Sequence, residues 1–377
     1  MNNLATLKRR GSSRISESQT GLALLDATVT GTKAKDLETE LHRLVIGQEE
    51  AIHEIVRTYQ TYLAGFSPNG RPIGNFLFLG PTGTGKTRAV EATADALLGN
   101  PRAIVKIDCG EFQHSHEIAK LIGSPPGYLG HRETHALLSQ EALNQYHTEN
   151  MKLTFVLFDE IEKASDALWN LLLGILDKAT LTLGDNRKVD FSSALIFMTS
   201  NIGASEMSSL VSPKLGFHVS APDADSCAPS LAAKLSRTGI EAARRKFTPE
   251  FLNRLDKIVV FRALGNEELN RIIDIELERV QQRVQTASAG KPFLINVTGS
   301  ARKLLLTEGI DLRYGARPLK RAIERLLVHP LSNLMASGQI QHHDRIRVTH
   351  NGESPSLTFF RETHAWETWE TNGALAA

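Results

Sequence analysis

The chain has 377 residues, enough for two or three globular units, and its 41% hydrophobic and 23% charged content is an ordinary globular balance. A formal net charge of +1 provides no global field to draw in nucleic acid or an anionic membrane surface. Cys109 and Cys227 are the only cysteines; they make no metal-ligand spacing and suit a reducing compartment, and no apolar run approaches the ~20 residues of a membrane span.

Residues 1–35 are rich in Ser, Thr and Gly and are expected to form a flexible tail. Lys8, Arg9, Arg10 and Arg14, with no acid before Glu17, leave an organelle transit peptide as a second reading. A secretory signal is not among the readings, since no apolar stretch follows the basic residues. The expected location is cytoplasmic, with an organelle matrix as the alternative. From Asp36 the pattern turns helical, and Ile52, Ile55, Val56, Tyr59 and Leu63 share one face of a helix that starts after Gly47. SPNGRPIG, Ser67 to Gly74, is a turn-rich link.

Phe76 to Leu79 is a continuous apolar run, as in a strand buried on both faces. Gly80, Pro81, Thr82, Gly83, Thr84, Gly85, Lys86 and Thr87 then match G-x-x-x-x-G-K-[ST], and a helical pattern follows to Leu97. Gly83 and Gly85 can adopt backbone angles closed to other residues, so successive N–H groups can turn towards one anion. The helix start adds its positive end, Lys86 can reach the β- and γ-phosphates, and the Thr87 hydroxyl can ligate Mg²⁺. The order strand, loop, helix predicts a nucleoside triphosphate site.

Further strands are predicted at Ala103–Asp108, Thr154–Glu160, Ala194–Asn201 and Lys257–Phe261, with an amphipathic helix carrying Leu168, Leu171, Leu172, Ile175 and Leu176. Apolar strands alternating with helices imply an α/β fold with a parallel five-stranded sheet flanked by helices, over residues 36–263. Ser212 to Ser236 is poor in hydrophobic residues and is expected to be a mobile excursion. Residues 264–350 read as a smaller α+β unit. Its helical patterns Glu267–Val284 and Arg317–Leu334 flank FLINVT and a shorter helix, and RIRVTH pairs antiparallel with SLTFF. Residues 351–377 complete the chain as a terminal strand and a tail containing Trp366 and Trp369.

Asp159 and Glu160 close an apolar strand downstream of a phosphate loop. The first acid suits Mg²⁺ and the second can polarise the attacking water. Asn201, ending the next strand, can position that water or sense the γ-phosphate. Arg254 and Arg317 are candidates for stabilising the charge that develops on phosphoryl oxygens in the transition state.

Seven stretches carry a resemblance to the Clp branch of the AAA+ ATPases: VIGQEEAI (Val45–Ile52), GPTGTGKT, GSPPGYLG (Gly123–Gly130), LFDEIEKA (Leu157–Ala164), MTSNIGA (Met198–Ala204), FTPEFLNRLDKIVVF and YGARPLKRAIE. From about Leu41 to Ile346 the chain resembles the second ATPase module of ClpB, ClpA and ClpC, and more distantly ClpX. The resemblance implies an AAA+ P-loop fold with a small C-terminal subdomain. It also implies ATP and Mg²⁺ as cofactors, with Thr87 and Asp159 at the metal. Val45 and Ile46 would pack on adenine. Glu160 would be the catalytic acid, Asn201 sensor 1 and Arg317 sensor 2, and Arg254 would be the finger inserted into a neighbouring subunit's site. Tyr128, with Gly127, Leu129 and Gly130, would be the pore loop that grips unfolded polypeptide, and Thr180–Phe191 a second pore loop. After GYLG the chain runs HRETHALLSQ, where the family usually has acids and paired glycines. Leu215-Gly216-Phe217 occupies the place of the tripeptide that docks such ATPases on a ClpP-type peptidase.

The expected function is therefore an ATP-dependent protein unfoldase or remodelling chaperone. It would act as a homo-oligomeric ring, a hexamer by resemblance, on unfolded or misfolded proteins, without nucleic acid or membrane. The rival readings are a nucleic-acid motor, an assembly protein switched by ATP, and a small-molecule P-loop kinase. The first predicts a basic stripe or an appended DNA-binding domain, and none is evident. The second predicts a damaged hydrolytic set, whereas Lys86, Asp159, Glu160, Asn201, Arg254 and Arg317 are all present. The third leaves GYLG and both arginine motifs unexplained.

Overall fold

The computed structural model describes residues 25–124 except Ala27, 136–211, 228–287, 292–309, and 316–362 except Glu353. Two helices lead in, α1 (Thr32–Leu44) and α2 (Glu49–Leu63). The first starts a few residues before the predicted helical onset, because Ala34, Leu37 and Leu41 already make a buried stripe at helical spacing. Then come β1 (Gly74–Leu79), α3 (Lys86–Leu98), β2 (Ile104–Asp108), the short helices α4 (Ala119–Ile122) and α5 (Gln140–Asn144), β3 (Thr154–Asp159) and α6 (Asp166–Lys178). A small antiparallel hairpin, β4 (Thr180–Thr182) and β5 (Lys188–Asp190), precedes β6 (Ala194–Ser200). After α7 (Ala204–Val211), α8 (Ala228–Lys246) and α9 (Pro249–Leu252), strand β7 (Lys257–Val260) completes the sheet.

Five strands form one parallel sheet in the order β2-β3-β6-β1-β7. Both faces are covered, so the central strands β1, β3 and β6 alternate between two cores rather than between core and solvent. Leu77, Leu79, Val156, Phe158, Ile196 and Met198 point into one core; Phe76, Phe78, Phe155, Leu157, Leu195 and Phe197 point into the other. In the second core Phe76 stacks on Phe197 at 5.2 Å between ring centroids, and Phe78 tilts against Phe261 at 4.9 Å. This order places the C-terminal ends of β3, β6 and β1 side by side. The paired acids, Asn201 and the phosphate loop thus emerge on one edge, the edge where open α/β sheets bind ligands.

The stretch from Ser212 to Ser236 departs from expectation. Residues 212–227 lie outside the described residues, but Ala228 onward is helical, in α8. Within it Leu235, Ala242 and Ala243 are buried and Gly239 lies against Val260.

The second unit has its own core, including Ile273, Phe293, Leu305, Leu319, Leu327 and Val348. It comprises α10 (Asn266–Ala287), β8 (Leu294–Val297), α11 (Gly299–Gly309), α12 (Arg317–Ile323), α13 (His329–Ala336), β9 (Arg345–Thr349) and β10 (Thr358–Glu362). Between α12 and α13 the helix continues as one wide π turn over Glu324–Val328. Pro330 follows directly; it has no N–H to donate, and the widened turn carries the helix past it. Strand β8 runs parallel to β9, and β10 pairs antiparallel with β9. The antiparallel pairing expected between RIRVTH and SLTFF is the β9–β10 pair of this sheet.

Candidate nucleotide site

A cavity of about 300 Å³ lies between the two units. One end is lined by Leu44, Val45, Ile46, Leu264, Ile272 and Ile275, an apolar slot suited to a flat base. The other end is lined by the loop from Thr82 to Thr87, Asp159, Glu160, Thr199 and Asn201, with Arg317 and Lys320 facing from α12.

The loop follows from sequence in a simple way. Gly80 has φ +142°, and a Cβ there would stand 2.5 Å from the Phe261 carbonyl oxygen. Gly83 and Gly85 have φ +79° and +100°. An added Cβ at Gly85 would meet nothing within 4 Å, so the constraint there is backbone conformation, not space. Gly80→Ala should cost at least about 2 kcal/mol, since it adds a backbone clash to a left-handed residue. Denaturant unfolding of the nucleotide-free protein will show whether it does.

Lys86 opens α3 and is only 8% exposed. Its ammonium donates to the carbonyls of Gly80 at 2.7 Å and Pro81 at 2.9 Å, and to Asn201 Oδ1 at 2.9 Å. Burial pushes its pKa down to about 8, while Glu162, Asp159 and Glu160 favour the charged form and nearby Arg317 opposes it. An anion entering here would stabilise the ammonium, which fits a phosphate binder.

Asp159 accepts a hydrogen bond from the Thr199 hydroxyl and pairs with Lys106 at 3.0 Å. Burial works against its charge, but these two donors outweigh it and hold the carboxyl below its ordinary range. An ionised carboxylate and the Thr87 hydroxyl, both lining this cavity, are the kind of oxygen donors a hard divalent cation takes, so these residues fit Mg²⁺. Glu160 turns the chain at the end of β3 with φ +56° and ψ +49°, and its N–H donates to Thr199 Oγ1 at 3.1 Å. Its carboxylate is paired with Lys163.

Arg254 is placed elsewhere. Its carbonyl accepts from Asn75 Nδ2 at 3.2 Å and from an Arg71 guanidinium nitrogen at 3.1 Å, at the N-terminal edge of the sheet. The phosphate loop leaves the opposite end of β1, about 17 Å away at ~3.3 Å per residue. The Arg254 guanidinium lies beside Glu250 at 3.2 Å and Asp177 at 3.8 Å. It is not among the residues lining its own chain's cavity. Gly127, Tyr128, Leu129 and Gly130, and Leu215, Gly216 and Phe217, lie outside the described residues.

Sequence reading passed over several residues that build the site. Gln48, 4% exposed, donates through Nε2 to the carbonyls of Thr84 at 3.1 Å and Arg262 at 3.0 Å, and accepts from the Arg262 N–H at 3.1 Å. It fastens the start of α2 to both the loop and the exit of β7. Lys106, a charge inside an otherwise apolar strand, was a readable signal. Arg88 and Arg279 also line the cavity, from α3 and α10. Finally, the Ala316 N–H donates to the Gly83 carbonyl at 3.1 Å, so the small unit's backbone touches the phosphate loop directly.

A glycine loop at the positive end of α3, paired acids on the adjoining strand and a base slot closed by a second unit together define a P-loop ATP site. Comparison with known proteins agrees. Residues 71–258 match the AAA domain (Cdc48 subfamily), and residues 264–348 match the C-terminal, D2-small domain of ClpB protein. The chain is 35% identical over 335 residues to the ATP-dependent Clp protease ATP-binding subunit ClpC of Staphylococcus saprophyticus, covering 89% of this chain and 38% of that one. It is 37% identical over 328 residues to the chaperone protein ClpB of Bdellovibrio bacteriovorus, covering 87% and 35%. A cryoEM reconstruction of Hsp104 in a closed state with ATPγS and FITC casein superposes with a TM-score of 0.70 at 28% identity, covering 87% of this chain and 52% of that one. The chain belongs to the Clp family of AAA+ ATPases, and it spans less than half the length of the curated relatives it matches.

Proposed function

We propose that the protein hydrolyses ATP with Mg²⁺ at the interfaces of a homo-oligomeric ring and uses that work to unfold or remodel other proteins. The observation that carries this reading is the position of Arg254. It stands at the sheet edge opposite its own phosphate loop and does not line its own chain's cavity, so the role proposed for it is played towards a neighbouring copy, on release from Glu250 and Asp177. A head-to-tail interface repeated around a ring gives every site one such arginine. Lys86, Thr87 and Asp159 hold the phosphates and metal, Glu160 polarises water, and Asn201 and Arg317 read the γ-phosphate. Because Ala316 touches Gly83, a change at the phosphates is felt by the small unit, a hinge-type coupling.

Polypeptide is the proposed substrate, gripped by Tyr128 and handed on to a ClpP-type peptidase docked through Leu215-Gly216-Phe217. An aromatic tip grips through area without matching hydrogen bonds, which suits arbitrary sequences. The test is ATP-dependent loss of signal from a tagged fluorescent protein, with and without a ClpP-type peptidase. Tyr128→Ala should cut the unfolding rate at least about tenfold while ATP binding and assembly persist, and Tyr128→Phe should keep most of it. Wild-type unfolding by Tyr128→Ala would remove the threading mechanism. Stimulation of the ATPase by DNA rather than by unfolded protein would replace the proposal with a nucleic-acid motor.

A further inference from the structure

We propose that Glu162 is a positioning residue for ATP hydrolysis, holding the Asn201 backbone so that the Asn201 amide meets Lys86 and the phosphate loop. Strand β6 pairs with β3 only as far as Met198 and with β1 only as far as Ser200. Asn201 lies beyond both ladders, so its N–H needs another acceptor. Glu162 provides it: Oε1 accepts from the Asn201 N–H at 3.1 Å. The carboxylate arrives there because Glu160 turns the chain in the left-handed region and one short helical turn, Ile161–Lys163, brings Glu162 back across the strand ends.

The Asn201 side chain then faces the loop. Its Oδ1 accepts from Lys86 Nζ at 2.9 Å and from Thr82 Oγ1 at 3.4 Å. The second Glu162 oxygen, Oε2, is buried and has no hydrogen-bond partner among the described residues. The contact that Glu162 does make is therefore the one to Asn201, through Oε1.

The inference rests on reading Asn201 as the residue that senses the γ-phosphate, and the test separates the two. The measurement is kcat and KM for ATP, on the full assembled protein, for Glu162→Ala, Glu162→Asp, Glu162→Gln, Asn201→Ala and the Glu162→Ala/Asn201→Ala double variant. Gln keeps an acceptor oxygen at full reach without the charge, whereas Asp keeps the charge but is one methylene short. Ala and Asp are expected to lower kcat about 10- to 100-fold with KM within about threefold, and Gln to recover most of that loss. In the Asn201→Ala background the further loss from Glu162→Ala should be under about twofold, because the side chain it positions is already gone. Losses that multiply, or Asp outperforming Gln, would overturn the proposal, the second by making charge rather than position decisive. Wild-type turnover in Asn201→Ala would instead remove the reading of Asn201 on which the proposal rests.

Discussion

Replacing Glu160 with Gln is expected to leave ATP bound and to slow its hydrolysis by about 10²–10⁴-fold, the usual worth of a positioned general base. The side chain lines the phosphate end of the cavity without contributing to the loop itself. The N–H of residue 160, which bonds Thr199, survives the substitution, so the turn at the end of β3 is kept. Only the basic carboxylate is lost, along with its ion pair to Lys163; that pair is largely exposed and adds little to stability. Nucleotide affinity is expected to stay within a few-fold of wild type. Lys86→Ala should behave in the opposite way and weaken binding first, because its ammonium is the buried cation at the loop. Single-turnover hydrolysis alongside equilibrium binding of a fluorescent ATP analogue separates the two. Wild-type turnover by Glu160→Gln would move the base to another residue.

Arg254→Ala is expected to lose about 10³–10⁵ in turnover, as when an arginine finger is withdrawn from a phosphoryl-transfer site. The distinctive result is complementation. An Arg254→Ala subunit keeps a sound phosphate loop, and a Lys86→Ala subunit keeps a sound Arg254. Mixed at equal ratio and allowed to exchange, random head-to-tail neighbours would make roughly a quarter of the interfaces complete, so turnover should recover to about that fraction of wild type. Specific activity should also rise with protein concentration as rings form. Full activity in a strictly monomeric protein, or mixtures no more active than their parts, would place the missing arginine function in cis. Arg317, which lines the cavity, is the residue that would then carry it.

The fold was legible wherever burial on both faces wrote a continuous apolar run, as in β1, β3 and β6, each buried along almost its whole length. It was less legible at the start of α8, where residues 228–236 contain only two leucines as large apolar residues. The loop, the paired acids and Asn201 were legible because each acts close to its own strand end. Gln48 and Glu162 were not. Gln48 bonds residues 36 and 214 positions away, and Glu162 bonds one 39 positions away. Nothing local marks such a partner, since a polar residue beside a helix start or after a strand is ordinary. Likewise, sequence gave the small unit's arginine but not the Ala316–Gly83 contact, which exists only once two separately folded cores meet.

The backbone at Glu160 carries a further consequence. A glutamate at φ +56° occupies a region that costs a non-glycine residue of order 1–3 kcal/mol. Glycine at that position would relieve the strain and would have no carboxylate. Selection for heat resistance alone would thus reward, at this one position, the loss of the carboxylate on which the proposed hydrolysis depends. Laboratory evolution of this protein towards higher melting temperature needs turnover as a simultaneous criterion, and a consensus or stability-ranked library should hold residue 160 fixed.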